Sequence, residues 1–195
     1  VPTPPKPLAA SPFTETRPLL DGKLDDPCWQ AAKALPLTAT DGYATEAKFA
    51  HDGQFLYVAV SCAHPAGKAV PAVAKRDRDA DMTGRDRVDI VLDLDRDYQT
   101  YYRFQVDQRG CLAEDCWGDR SWNPKYFVAF LPGEAGWTCE FAIPLAELTG
   151  DRLGGRAWAV NVSRVVPGVG VQTWSGPADA EPRPEGLGLL QFQGR

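Results

Sequence analysis

Apolar and polar residues alternate with a period of two through most of this sequence, and that pattern favours β-strands over helices. From Arg87 to Asp93 every second residue is a large aliphatic one, and residues 102–107, 137–143 and 158–163 repeat the pattern. The chain also carries 18 Gly and 17 Pro, which is too many for a helical bundle and suits short strands joined by turns. We therefore predict an all-β fold, an antiparallel β-sandwich whose strands have one core face and one polar face.

Only two segments have helical character. A short N-terminal helix is predicted after Asp26, which is placed to cap it, with Pro27 in its first turn. A single helical turn, 145–149, follows Pro144. The proline-rich start cannot donate the hydrogen bonds of a sheet, so we expect residues 1–17 to be a linker or tether and residues 18–195 to form one sandwich domain.

Composition excludes several classes of protein. With 195 residues and a net charge of −5, the chain lacks the basic surface that nucleic acid requires. It has no run of 18 apolar residues, so no membrane span is expected. Five cysteines without a CxxC pair make a zinc site improbable and leave at least one thiol unpaired within the chain. Cys111 and Cys116 are close enough in sequence to bridge a loop or hairpin.

The acidic residues allow three interpretations. Asp89 and Asp107 lie on polar strand faces, where they could perform acid/base chemistry on a glycosidic bond, bind ligand hydroxyls or simply be solvated. Because no catalytic motif is present, we expect no enzyme activity. Asp93, Asp95 and Asp97 place three carboxylates at alternate positions after a strand, a spacing typical of oxygen ligands for Ca²⁺.

Two tryptophans stand in a polar segment that is rich in Gly and Asp. Trp117 and Trp122 either plug an open end of the sandwich or form a platform for a ligand. Sugars present C–H faces to indole rings and hydroxyls to flanking amides and carboxylates. Such loops beside a polar strand face therefore suit a saccharide.

Five blocks of the sequence, in order, resemble the family-nine carbohydrate-binding modules and their relatives in the DOMON-like superfamily of immunoglobulin-like sandwiches. The resemblance covers roughly residues 18 to 193 and rests on blocks 21–29, 55–60, 84–93, 136–144 with 158–164, and 186–190. It implies a non-catalytic module that binds glycans and commonly carries structural calcium. It also implies an exported protein, at the cell surface, in the periplasm or outside the cell, with this domain part of or tethered to a larger chain.

Matched residue by residue, the polar binding groups of the family fall on the acidic strand, the strand after it and a late strand. They are Asp89, Gln105, Asp107, Asn161 and Ser163. Sugar-binding members clamp the ring between two tryptophans. Here those positions fall at Met82 or Thr83 and in residues 179–183, none of them aromatic. Trp117 or Trp122 would then have to supply the stacking surface.

Two alternatives remain open at this point. One is a structural or interaction domain with a vestigial sugar pocket. The other is a haem b domain, because some DOMON-like sandwiches bind haem through Met and His, and Met82 could pair with His51 or His64. We do not expect haem, and Ca²⁺ is the only cofactor predicted.

Overall fold

The computed structural model describes residues 5–38, 43–65, 73, 75–149 and 157–194, which form two β-sheets packed face to face. Sheet A contains the strands β1 Leu8–Ser11, β5 Arg87–Asp93, β6 Tyr102–Asp107, β7 Leu112–Cys116, β10 Ala157–Val166, β11 Gly170–Thr173 and β12 Gly188–Phe192. Sheet B contains β2 Leu35–Pro36, β3 Thr45–His51, β4 Phe55–Ala63, β8 Phe127–Pro132 and β9 Gly136–Pro144. The predicted all-β sandwich is confirmed. None of the helices in these ranges is long and apolar enough to cross a bilayer.

Strand order places β10 and β5 in the middle of sheet A, with β6 beside β5. The order is β1-β12-β10-β5-β6-β7, and β11 continues the edge of β10 where β12 leaves it. Sheet B runs β2-β3-β4-β9-β8. Every pairing between these strands is antiparallel except that of β1 with β12, which is parallel.

The core between the sheets follows the alternation that the sequence shows. Val88, Ile90 and Leu92 of β5 point into it, as do Phe104 of β6 and Phe141 of β9, and all five are fully buried. The outward face of β5 differs from expectation, because Arg87, Asp89, Val91 and Asp93 are buried as well. A second layer of chain therefore covers this part of sheet A, which the alternation alone does not reveal.

The N-terminal segment is part of the sandwich, which corrects the predicted linker at residues 1–17. Leu8–Ser11 form β1, and the amides of Leu189 and Gln193 donate to the carbonyls of Pro7 and Ser11. The prolines end at Pro7 in this stretch, so the next residues have the N–H groups that a sheet edge needs. The domain therefore begins by residue 8, while residues 1–4 lie outside the described ranges.

The predicted N-terminal helix is present as α1, Pro27–Ala31. Asp26 precedes it but makes no side-chain cap; its carboxylate accepts from the Leu19 amide instead. The helix is fixed by Glu140, a buried residue on the outward face of β9. The Glu140 carboxylate accepts from the Trp29 indole at 2.7 Å and from the backbone amide of Gly22 at 2.6 Å. The second helix, α2, spans Ala146–Thr149.

The two sheets are joined at one end by a buried polar network around Arg164. This β10 side chain is fully buried and donates two hydrogen bonds to the Asp86 carboxylate, at 2.8 and 2.7 Å. It also reaches sheet B, donating to the Thr45 hydroxyl and to the carbonyl of Ala63. Gln172 extends the network, because its side-chain oxygen accepts from Thr45 at 2.5 Å.

All five cysteines are free thiols. Cys111 and Cys116 cannot bridge, because β7 runs extended between them and separates them by roughly 16 Å at 3.3 Å per residue. Burial raises the pKa of Cys28 to about 11 and that of Cys62 to about 12. The described structure therefore owes none of its stability to disulfides.

Replacing Arg164 by Met should lower the free energy of unfolding by about 3–5 kcal/mol, because Asp86 would be left as an unpaired buried carboxylate. Adding Asp86→Asn should recover part of that loss. Urea unfolding followed by tryptophan fluorescence measures both. Arg183→Gln is the matched control, since it breaks an exposed Arg–Asp pair and should leave the free energy of unfolding nearly unchanged. Equal losses in the two single variants would contradict this assignment.

Stability should fall as pH drops below about 6.5, the ordinary pKa of histidine. His51 packs between the rings of Phe13 and Phe192 and shares a hydrogen bond with Ser11, and burial lowers its pKa, although Asp52 opposes the shift. The unfolded chain then takes up a proton at a pH where the folded protein does not, so folding loses free energy.

His51→Gln should flatten this part of the stability–pH curve between pH 7 and pH 5, relative to the wild type. His64→Gln, which changes the other histidine of the chain, is measured in parallel to show that the change in slope belongs to His51. A His51→Gln curve parallel to that of the wild type would show that His51 does not titrate differently on folding.

Candidate functional site

The predicted polar residues meet on the outward face of sheet A. Ser163, Asp89 and Gln105 lie side by side on β10, β5 and β6 in one row across the sheet. Asn161 belongs to the next row toward one end of the strands, and Asp107 to the next row toward the other end. The structure thus brings together all five polar residues that the sequence predicts. We call this surface the polar face.

Side chains of the polar face are largely bound to one another. Asp89 is 1% exposed; its carboxylate accepts from the Arg87 guanidinium at 3.1 Å and from the Gln105 amide at 2.9 Å. Burial raises the pKa of Asp89, while Arg87 and the Gln105 amide oppose that shift. A carboxylate held in this way is a fixed acceptor within a paired network rather than a solvated charge.

Asp107 and Asn161 serve the turns next to them. The Asp107 carboxylate is fully buried and accepts from the amides of Arg109 and Cys111 and from the Arg109 guanidinium. Asn161 donates to the Thr173 hydroxyl and accepts from the Ser175 amide, which fixes the chain after β11. These two residues therefore shape the polar face instead of pointing unpaired polar groups at a ligand.

Two arginines on the polar face were missed by the sequence analysis. Arg103, in the row of Asn161, donates to the Asp115 carboxylate at 2.5 Å and to Glu181 at 3.0 Å. Arg87 donates to the Ala180 carbonyl at 2.9 Å. Arg87 stands two residues before Asp89, and Arg103 two residues before Gln105, so alternation along each strand could have predicted that they share the polar face.

A loop between β11 and β12 covers the polar face. Gly176 and Gly186 close its neck, where a Cβ on Gly176 would stand 2.8 Å from the Gly186 carbonyl oxygen and where the φ of Gly176 is +69°. Residues 179–183 form its tip, which meets Arg87 and Arg103. This is the segment that holds one of the two tryptophan clamp positions in the resemblance, and it contains no aromatic residue.

Met82 stands at the other clamp position and is 6% exposed. It lies in the segment that leads into the start of β5, whereas His51 packs on Phe192 at the end of the sheet where β5 finishes. His64 has its Nε2 atom 3.3 Å from the Gly133 carbonyl oxygen. Met82 and His51 therefore lie at opposite ends of β5 and do not face each other as two axial haem ligands would.

Trp122 is not beside the polar face, which corrects its assignment as a ligand platform. Its ring lies 4.9 Å from that of Tyr102 and 5.5 Å from that of Phe104, centroid to centroid. Both partners point to the core side of β6, opposite to Arg103 and Gln105, because successive residues of a strand face opposite sides. Trp122 is a plug at the margin of the core.

Trp117 is 64% exposed and occupies a two-residue hairpin turn. Cys116 and Asp119 exchange backbone hydrogen bonds around it, and both Trp117 and Gly118 have positive φ, at 51° and 82°. A turn of this type favours Asn or Gly at its first position, so a bulky aromatic there is strained. The strained backbone and the exposed ring together make Trp117 a candidate for a ligand contact.

Tyr101 is the aromatic residue that connects this turn to the polar face. It packs half-buried against Val91, Ala159 and Leu187, and its carbonyl accepts from the Trp117 amide. Burial raises the pKa of Tyr101, and the neighbouring arginine and carboxylates of the polar face act on it as well. Tyr101 stands two residues before Arg103, so alternation puts both side chains on the outward side of sheet A. This spacing could have identified Tyr101 from the sequence.

The acidic triad also comes together. One ligand atom from each of Asp93, Asp95 and Asp97 lies within 4.8 Å of the others, with Asp93 buried and the other two exposed. The Asp93 carboxylate already accepts from the amides of Arg96 and Tyr98, and both of those residues have positive φ. The loop is therefore curled around its own carboxylates, which are hard oxygen ligands of the kind that Ca²⁺ prefers.

The most spacious of the five clefts measured among the described residues lies elsewhere, on the outward face of sheet B. It holds about 500 Å³ and includes Glu46, Ser61 and Thr138. A second cleft of about 320 Å³ lies at one end of the sandwich beside Tyr101 and Asp95. None of the five is lined by Asp89, Gln105 or Asn161, because the loop at residues 179–183 lies on that face.

Comparison with known proteins supports the fold. No family model matches the sequence, and no curated protein matches it. Among solved structures, a family-nine carbohydrate-binding module from Caldicellulosiruptor kristjanssonii in complex with cellotriose superposes with a TM-score of 0.73 at 17% identity, over 97% of this chain and 95% of that one. The same kind of module in complex with glucose gives 0.71, also at 17% identity, over 97% of each chain.

A candidate carbohydrate-binding protein from Bacteroides uniformis gives a TM-score of 0.71 at 16% identity, over 96% of this chain and 100% of that one. Coverage of this extent means that the similarity concerns the whole sandwich rather than a shared sheet. At these identities the comparison establishes architecture and not ligand. The chain therefore has the fold of the family-nine carbohydrate-binding modules, as the resemblance in its sequence implied.

Proposed function

We propose that this chain is a non-catalytic carbohydrate-binding module that holds a saccharide at the polar face, between Tyr101 and Trp117 on one side and Arg103 on the other. The observation that carries the proposal is Trp117, a strained and exposed indole whose turn is bonded to Tyr101 at the margin of a face rich in polar groups. Sugar rings stack on such surfaces, and the flanking polar groups bind their hydroxyls. Similar folds that hold cellotriose and glucose support the same reading.

The absence of catalysis is part of this proposal. A glycosidase needs two carboxyl groups that are free to act on the scissile bond. Asp107 is taken up by its turn and by Arg109, and Asp89 is held by Arg87 and Gln105. Both carboxylates are thus engaged in structural contacts. The rival proposal, a structural domain with a vestigial pocket, predicts that no saccharide binds.

We propose further that the module acts outside the cytoplasm as part of a larger exported protein. Polymeric glycans are found mainly there, and a small sandwich with a surface site suits a targeting role. Cys28 and Cys62 are compatible with an oxidising compartment, because burial raises their pKa and so keeps them as thiols rather than reactive thiolates.

Calorimetric titration with a panel of mono- and oligosaccharides tests the binding function. Trp117→Ala should weaken the binding of the best ligand about tenfold, as expected for an exposed aromatic contact. Phe127→Ala is the matched control, because Phe127 is 55% exposed on sheet B and should not affect affinity. Absence of heat with every sugar, with and without Ca²⁺, would leave the structural role standing. Equal affinity of both variants would remove Trp117 from the site.

The residues Asp93, Asp95 and Asp97 fit a structural Ca²⁺ ion, and we propose that they bind one. An ion that binds only the folded chain raises its stability by mass action. Millimolar CaCl2 should therefore raise Tm relative to EDTA, and Asp95→Asn should remove most of that shift. Asp119→Asn, a substitution of another exposed loop aspartate, should leave it intact. An equal shift with Mg²⁺, or none with Ca²⁺, would refute a specific calcium site.

A further inference from the structure

The loop tip at residues 179–183 places acceptor oxygens on the two arginines of the polar face. The Ala180 carbonyl accepts from Arg87, and the Glu181 carboxylate accepts from Arg103 at 3.0 Å. Within the tip, Asp179 pairs with Arg183 and accepts from the Glu181 amide. Glu181 is thus presented to Arg103 by a locally ordered turn.

The two contacts of Arg103 differ in kind. Asp115 is 2% exposed and accepts at 2.5 Å, so it is a permanent part of the sheet. Glu181 has a side chain that is 71% exposed, and exposed ion pairs contribute little free energy. The Glu181 carboxylate can therefore leave Arg103 at small cost, and the guanidinium then offers a donor to another anion.

Arg103 accommodates a second carboxylate, that of Glu181, beside its buried partner Asp115. Two guanidinium groups, Arg87 and Arg103, face the carboxylates of Asp89, Asp115 and Glu181. With Glu181 in place the face holds one more negative charge than positive ones, and a ligand carboxylate that replaces Glu181 on Arg103 leaves that count unchanged. Its charge-assisted bond to the guanidinium is stronger than a bond to a neutral hydroxyl.

We propose that the saccharide bound at this face carries a carboxylate, as a uronic acid does, and that Glu181 occupies the position of that group until the ligand displaces it. The sugar ring would then lie toward Tyr101 and Trp117, because Asp115, the other partner of Arg103, stands two residues before Trp117. This inference rests on the proposed function and names the class of saccharide that the site takes.

The test uses short oligouronates of the gluco, galacto, manno and gulo series, each paired with its methyl ester, which has the same ring but no charge. Calorimetry at fixed ionic strength should show at least one acid bound about tenfold or more tightly than its ester. Esters or neutral oligosaccharides that bind as tightly as every acid would overturn the inference while leaving the proposed function in place. No binding of any saccharide would overturn both.

Four variants locate the effect. Glu181→Gln should tighten binding of the acid severalfold and leave the ester unchanged, because it removes the competing carboxylate and is too exposed to threaten folding. Glu185→Gln, on the same loop and exposed, should change neither. Arg103→Gln should abolish the preference for the acid. Arg103→Lys should retain part of it, because the lysine keeps the positive charge that binds the ligand carboxylate. An unchanged preference in Glu181→Gln and Arg103→Lys together would exclude this position for the carboxylate.

Discussion

The fully buried side chain of Arg164 reaches from one sheet to the other, and the arrangement of the rest of the sandwich depends on it. Its guanidinium joins β10 to Asp86, which directly precedes β5, and to Thr45 and Ala63 of the opposite sheet. A buried guanidinium without these acceptors would be strongly destabilising. The network therefore restricts how the sheets can stack at this end. It also fixes the point at which the acidic strand begins, and with it the register of the polar face.

Glu140 has a corresponding role on the outward side of sheet B. Its carboxylate binds the Trp29 indole and the Gly22 amide, so the turn and the helix after it are tied to β9 across more than a hundred residues of sequence. Gly22 has a φ of +83°, and a Cβ there would stand 2.6 Å from the Cβ of Leu131. The first sequence block of the resemblance, residues 21–29, therefore has a structural role, on the sheet opposite the polar face.

The polar face shows how a shared fold can carry an altered site. Its residues are paired internally, Asp89 with Arg87 and Gln105, and Arg103 with Asp115. Because these groups satisfy one another, the face is stable without a ligand, and a ligand has to offer more than hydroxyls exchanged against water. The usual clamp positions of the resemblance hold no aromatic residue, whereas the turn after β7 carries the exposed ring of Trp117.

The sequence alone determined the class of fold, because the period of two in Arg87–Asp93 and its repeats fits strands and little else. Alternation placed Asp89, Gln105 and Asp107 on the polar faces of their strands, and the family resemblance grouped them with Asn161 and Ser163 as one site. The register of β5 with β6 and β10 then decided that all five share one face of sheet A. The sequence could not show that Leu8–Ser11 pair with β12, because a short segment after prolines carries no periodicity. Nor could it separate Trp117 from Trp122, which differ only in whether their neighbours belong to the core or to solvent. Only the long-range contacts of the tertiary structure separate the two tryptophans. They also place Glu181 on Arg103, because that ion pair depends on how a loop folds over the sheet and not on the local sequence pattern.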